Sequence, residues 1–377
     1  MACTRTHCIA ATRPAPAVES GKSLASMDRR ANYFDELRLL AAWLVLFSHC
    51  YPLSGSALGD PFARSIGIDT LGGVGVAIFF VLSGYLVTLS WERSSGTIDF
   101  FWKRARRIYP ALVACVCVCV CVIGLWLSSL DPAAFFQHPQ TREYFKTATA
   151  WSIKFVLPGA FPHNPLPGTV NGSLWSLPYE LRCYLCLALL GLLPIALRWK
   201  VAATTTLLVL YLLSRPQMPV FDRYLGIDYY HAKLGLFFAI GATYASWRKH
   251  IRPMWWLGLA GTVAACTMAD SSTRTIIWVV SFSTFALGVA LVPWHLPKLP
   301  ERMGDWSYGL YLYGFPTQQV VAHFDVAKSL SLPGYVVVCT FASLTLAALS
   351  WFVVERPALA FERKGARRRR GAIAPNP

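Results

Sequence analysis

The stretch Glu36-Leu37-Arg38-Leu39-Leu40-Ala41-Ala42-Trp43-Leu44-Val45-Leu46-Phe47-Ser48-His49 sets a guanidinium and an imidazole into an apolar run. A helix turns about 100° per residue, so the eleven steps from Arg38 to His49 return to within about 20° of the starting direction. The same steps span roughly 16 Å along the axis, about half the hydrocarbon thickness of a bilayer. Ionisable groups at that depth are costly and face protein or water, where they have a task. The stretch therefore reads as a membrane helix with a functional face.

The rest of the chain agrees. Of 377 residues, 55% are hydrophobic and only 14% charged, whereas a soluble domain carries about 25% charged residues. Mean hydropathy is positive. Ten apolar windows follow one another: Leu37–Leu53, Leu71–Trp91, Ile108–Leu130, Leu174–Leu197, Val201–Leu213, Ala232–Trp247, Met254–Met268, Ile276–Val292, Trp306–His323 and Tyr335–Val354. Several fall short of the ~20 residues of a full span, Val201–Leu213 most of all. The expected fold is all-α: a polytopic integral membrane protein of about ten transmembrane helices.

The net charge of +16 is unevenly distributed. With ten spans, 24 Lys and Arg fall on the side holding both termini and 8 on the other, with Arg38, Arg182 and Lys233 inside spans. That asymmetry places both termini in the cytoplasm. The run Arg367-Arg368-Arg369-Arg370 then serves orientation and meets anionic membrane lipids, and nucleic acid is not an expected partner. Three regions are expected: a disordered cytoplasmic N-terminal tail over 1–31, a membrane domain over 32–357 and a basic cytoplasmic C-terminal tail over 358–377.

Cys115, Cys117, Cys119 and Cys121 alternate within one window. On a helix, i and i+2 point about 200° apart, so these thiols cannot converge on one ion and read as small buried apolar residues. No metal site is expected. The longest polar stretch, Asp131 to Ser173, lies on the outer side, and a loop of that length is either functional or mobile.

Other polar groups mark chemistry. Asp35, three residues before Arg38, can pair with it or simply favour the helix N-terminus. Glu180 lies in Trp175-Ser176-Leu177-Pro178-Tyr179-Glu180-Leu181-Arg182, where it can orient a histidine, act as an acid–base group or pair with Arg182. Lys103, Arg104, Arg106 and Arg107 precede a span, and such clusters bind phosphate or anchor the helix on the cytoplasmic side. Ser83-Gly84-Tyr85 permits close helix approach.

Taken in order, these pieces resemble the membrane acyltransferase-3 family, from about Asn32 to Pro357. Its members include O-antigen and exopolysaccharide O-acetyltransferases and Nod-factor acetyltransferases. Arg38 and His49 match its arginine, ten residues, then histidine. Phe79-Phe80-Val81-Leu82-Ser83-Gly84-Tyr85 matches its Phe-Phe-x-x-Ser-Gly-Tyr segment, and Arg104 with Arg107 before Ile108-Tyr109-Pro110 matches its Arg-x-x-Arg signature. Ser173-Leu174-Trp175-Ser176-Leu177-Pro178-Tyr179-Glu180, Ser307-Tyr308-Gly309-Leu310-Tyr311-Leu312 and Val354-Glu355-Arg356-Pro357 complete the series. Many relatives carry a histidine where this chain has Gly314, and the soluble esterase-like domain fused to some relatives is missing.

The resemblance implies a multi-pass protein of the bacterial inner membrane. Such a protein transfers an acyl group, most often acetyl, from cytoplasmic acyl-CoA as co-substrate to a hydroxyl of a carbohydrate or lipid-linked glycan. It implies acyl-CoA binding by Arg38, Arg104 and Arg107 and proton removal by His49, with Glu180 holding the imidazole. Asp35, Ser83, Tyr85 and Trp175 are candidates for the substrate pocket. The competing reading is a transporter or flippase that moves an anionic lipid or sugar with the same intramembrane charges.

Overall fold

The computed structural model of the protein describes residues 32–214, 228–269, 271–294, 296–300, 302–324 and 330–360. The N-terminal tail 1–31 and positions 361–377 of the basic tail lie outside the described residues. Among the described residues there is no strand, and every apolar window of the sequence holds a helix. The long helices are α1 (Phe34–Leu53), α2 (Leu71–Glu92), α3 (Thr97–Leu127), α4 (Leu177–Leu192) and α5 (Leu197–Ser214). They continue with α6 (Tyr229–Ser246), α7 (Trp255–Thr267), α8 (Ser272–Leu291), α9 (Ser307–His323) and α10 (Leu332–Ala360). Four of them, α2, α3, α8 and α10, are long and apolar enough to cross a membrane.

Local chemistry sets the helix ends. Thr70 Oγ1 accepts from the Gly73 amide at 2.9 Å, Asp228 Oδ1 from His231 at 2.8 Å and Ser271 Oγ from Arg274 at 3.0 Å, each satisfying an otherwise orphaned donor. Asp35 and Glu36 occupy the first turn of α1, where the helix dipole favours carboxylates.

Packing runs as a row, α5 on α6, α6 on α2, α2 on α1, α1 on α9 and α9 on α10, with α7 and α8 paired beside it. Of the four helices long and apolar enough to cross a membrane, α2 is the most buried, and its most extensive contact is the crossing with α6. Gly84 of α2 sits against the Phe238 carbonyl, and Gly241 of α6 sits against the Val81 carbonyl. A side chain at either glycine would drive the two backbones apart, so Ser83-Gly84 acts at a helix crossing as the sequence suggests.

The alternating cysteines divide by face as helix geometry requires. The expectation that all four are buried holds for Cys115 and Cys119 but not for Cys117 and Cys121, which are exposed because positions two apart on a helix point to opposite faces. Residues Cys119–Gly124 adopt π-helical hydrogen bonding within α3.

The stretch after α3 is built rather than loose. It contains the short helices Pro132–Gln137 and Pro139–Tyr144, and it buries Phe135, Tyr144, Leu157 and Phe161 completely or nearly so. Side-chain amides clamp it to α9. Asn164 Nδ2 donates to the Gln319 carbonyl at 2.8 Å and to its Oε1 at 2.7 Å, and Gln319 Nε2 donates to the Thr169 carbonyl at 2.6 Å. Asn171 Nδ2 donates to the Leu312 carbonyl at 2.9 Å. These bonds deliver Gly172 and Ser173 to the C-terminal end of α1, where the site lies.

Candidate active site

Polar groups gather at both ends of the α1–α2 hairpin. At the N-terminal end of α1, one carboxylate bridges two guanidiniums: Asp305 Oδ2 accepts from Arg38 Nη1 at 2.7 Å and from Arg107 Nη2 at 2.5 Å. The other oxygen, Oδ1, accepts from the Ser307 amide at 3.1 Å and from the Ser307 hydroxyl. Burial raises the Asp305 pKa, but the two arginines outweigh it and hold the carboxyl well below its usual range. Arg107 Nη1 also lies 3.7 Å from the buried Glu355 carboxylate, and Glu355 Oε1 accepts from Ser350 Oγ at 3.1 Å. The cluster thus draws on α1, α3, α10 and the turn before α9.

Helix α2 carries polar contacts from that end towards the other. Its Ser90 Oγ accepts from Arg104 Nη2 at 3.3 Å, and its Ser83 Oγ donates to Glu180 Oε1 at 2.9 Å. Val76 lines a cavity at the far end. These three residues are seven apart, two helical turns each, so they share one face of α2 over roughly 21 Å. Glu180 also accepts from the Tyr184 hydroxyl.

The far end holds His49. A cavity of about 170 Å³ is lined by His49, Ser48, Asp69, Trp175, Tyr230 and Lys233, among others. His49 Nδ1 lies 3.4 Å from Ser173 Oγ, and the Phe315 ring meets the imidazole edge-on at 5.2 Å. Phe315 in turn packs on Gly172, which leaves no room for a Cβ. The clamped segment after α3 therefore helps to fix the histidine. In the same lining, Lys233 Nζ pairs with Asp69 Oδ2 at 2.7 Å.

The structure unites some of the expected residues and separates others. Arg38 and Arg107 share one partner, Ser83 meets Glu180, and His49 and Trp175 line one cavity. The carboxylate on Arg38 comes from Asp305 rather than from the local candidate Asp35, because tertiary packing brings the turn before α9 onto α1. The described hydrogen bonds of Glu180 go to Ser83 and Tyr184, not to His49, whose ring nitrogen meets Ser173 instead. Tyr85 is buried, stacks on Phe34 at 5.6 Å and is not among the residues lining this cavity. Gly314, where many relatives carry histidine, faces Leu46 of α1 across ordinary van der Waals distance.

Sequence reasoning missed Asp305, Asp69 and Lys233 as site residues. Asp305 stands two residues before α9, where its Oδ1 accepts from the Ser307 amide, and no spacing in the sequence ties it to the arginines. Lys233 was legible as a cation inside a window, and its partner lies 164 residues away.

Comparison with known proteins bears on this geometry. An acyltransferase domain model matches residues 31–352. The chain is 34% identical over 339 residues to the O-acetyl transferase of Shigella phage Sf6, covering 87% of this chain and 96% of that protein. It is 32% identical over 357 residues to Nodulation protein 10 of Rhizobium leguminosarum bv. viciae, covering 87% and 93%. Exopolysaccharide production protein ExoZ of Rhizobium meliloti (strain 1021) is 26% identical over 313 residues, covering 80% and 92%. No solved structure matches. With a single family model and near full-length relatives spanning the helices that hold both polar ends, the chain belongs to the acyltransferase-3 family and is an acyltransferase.

Proposed function

We propose that the protein is a ten-span protein of the bacterial inner membrane, with both termini cytoplasmic, that moves an acetyl group from cytoplasmic acetyl-CoA to a hydroxyl of an exported carbohydrate. The observation that carries this reading is the placement of an arginine-rich cluster and a histidine-lined cavity at opposite ends of one helix hairpin. The 24 to 8 distribution of Lys and Arg puts the arginine end on the cytoplasmic side. Relatives named for O-acetyl transfer and for exopolysaccharide production supply the group and the acceptor class.

In this reading Arg38, Arg104 and Arg107 receive the phosphates of the CoA moiety, since guanidinium forks match phosphate oxygens. The acyl thioester advances along the polar face of α2 towards His49. His49 Nε2 takes the proton of the acceptor hydroxyl as its oxygen attacks the thioester carbonyl. The C–S bond breaks, the ester C–O bond forms, and the CoA thiolate recovers the proton from the imidazolium. Ser173, beside Nδ1, fixes the ring orientation.

The test is CoA release by the purified full chain in lipid vesicles. Thiol should appear from acetyl-CoA only when glycan is supplied, and Arg104→Gln, which leaves the Asp305 cluster intact, should raise the KM for acetyl-CoA at unchanged protein level. Absence of thiol with every glycan, together with glycan movement across the vesicle wall, would instead establish a transporter.

A further inference from the structure

The wall of the His49 cavity has a composition that the transfer chemistry alone does not require. The Lys233–Asp69 pair lines the same cavity as the imidazole, its lysine only 5% exposed. Lys233 Nζ lies over the Tyr229 ring at 5.6 Å and the Trp278 ring at 5.4 Å, so the cation is held from three directions. Asp69 Oδ1 accepts from the Thr70 amide at 2.9 Å. An ammonium offers three donors and a carboxylate about four lone-pair sites, so the pair retains both donating and accepting capacity towards the cavity.

Part of the lining is aromatic. Trp175 and Tyr230 meet at 5.5 Å, nearly edge to face, and Tyr230 is 51% exposed. Beyond them the charges are again balanced: Arg182 meets His231, and His231 Nδ1 lies 2.9 Å from Asp228 Oδ1. The volume of about 170 Å³ falls below the roughly 300 Å³ at which pockets for larger ligands begin.

We propose that this cavity is the acceptor subsite and takes one ring of a neutral pyranoside, its apolar face on Trp175 and Tyr230 and its hydroxyls on the Lys233–Asp69 pair. Rings with one apolar face and a polar rim suit an aromatic wall facing a donor–acceptor pair. Neutrality follows from the balance of the wall. A uronate or phosphate would bring an uncompensated negative charge to a lysine already matched by Asp69, and such a charge in a partly dry site is costly. The inference rests on the acetyltransferase reading above and adds to it the acceptor class and the residues that recognise it.

The experiment uses the full chain in lipid vesicles with labelled acetyl-CoA and four probes: methyl glucopyranoside, methyl galactopyranoside, methyl rhamnopyranoside and methyl glucuronide. Label should pass to at least one neutral pyranoside and not to the glucuronide. Tyr230→Ala, at a half-exposed position that does not endanger folding, should raise the KM for that acceptor about tenfold and leave the KM for acetyl-CoA unchanged. The charge-neutral double replacement Lys233→Met with Asp69→Leu should do the same. Preference for the glucuronide, or an acceptor KM unmoved in both variants, would overturn the proposal. So would transfer to a crude glycan extract with no neutral pyranoside accepted, a result that leaves the transferase reading standing. No CoA release with any acceptor would remove that reading, and this one with it.

Discussion

His49→Ala lowers acyl transfer by about 10²- to 10⁴-fold, the usual contribution of a positioned general base. The imidazole lines a cavity that already exists, so its removal enlarges a space rather than opening a new void in a packed core. Protein level and thermal midpoint are therefore expected to stay near those of the unmodified chain. The measurement is initial rate at saturating acetyl-CoA, with membrane abundance as the control. Transfer retained at the original rate would exclude His49 as base or nucleophile. Ser173→Ala, which removes the contact to Nδ1, should lower turnover by less, because the edge-on contact with Phe315 remains.

Asp305→Asn produces the largest loss of stability. It leaves Arg38 and Arg107 facing one another without their shared carboxylate, and breaking a buried pair in this way costs roughly 3–5 kcal/mol. The arginine side chains are 23% and 19% exposed, so water recovers part of that and the lower end is expected. The pH dependence has a definite sign. Because the folded-state carboxyl is held below its ordinary value, its contribution is complete above about pH 4 and is lost only as the pH falls through the lowered value. Thermal midpoints of the purified protein should accordingly show no change from this group between neutral and mildly acidic pH. A midpoint unchanged by Asp305→Asn would show that the cluster does not hold α1, α3 and the start of α9 together.

What the sequence made legible follows from the range of each signal. Apolar windows are local, so each one locates a helix, and the face shared by Arg38 and His49 is a property of a single helix. The alternating cysteines mark where local reading stops: all four read as buried, but only Cys115 and Cys119 turn inward, because packing decides which helix face meets the rest of the protein. Partnerships are not local. Arg38 meets Asp305 across 267 residues, and Lys233 meets Asp69 across 164. No periodicity encodes either pair, and a nearby carboxylate such as Asp35 offers a more immediate but different candidate. Glu180 shows the same limit. Its position on α4 marks it as polar and inward, but the crossing with α2 directs it to Ser83 rather than to His49. The segment after α3 is legible as long and Pro-rich, whereas its clamp to α9 depends on amides of Asn164 and Gln319 meeting across the fold.

The central claim is that acyl donor and acceptor engage opposite ends of the α1–α2 hairpin. Sealed vesicles containing the oriented full chain test this directly, with labelled acetyl-CoA confined to the side of Arg104 and Arg107 and glycan confined to the other. The account predicts label on the glycan hydroxyl across the membrane, lost in His49→Ala. Label reaching glycan only when both substrates share one side would contradict it.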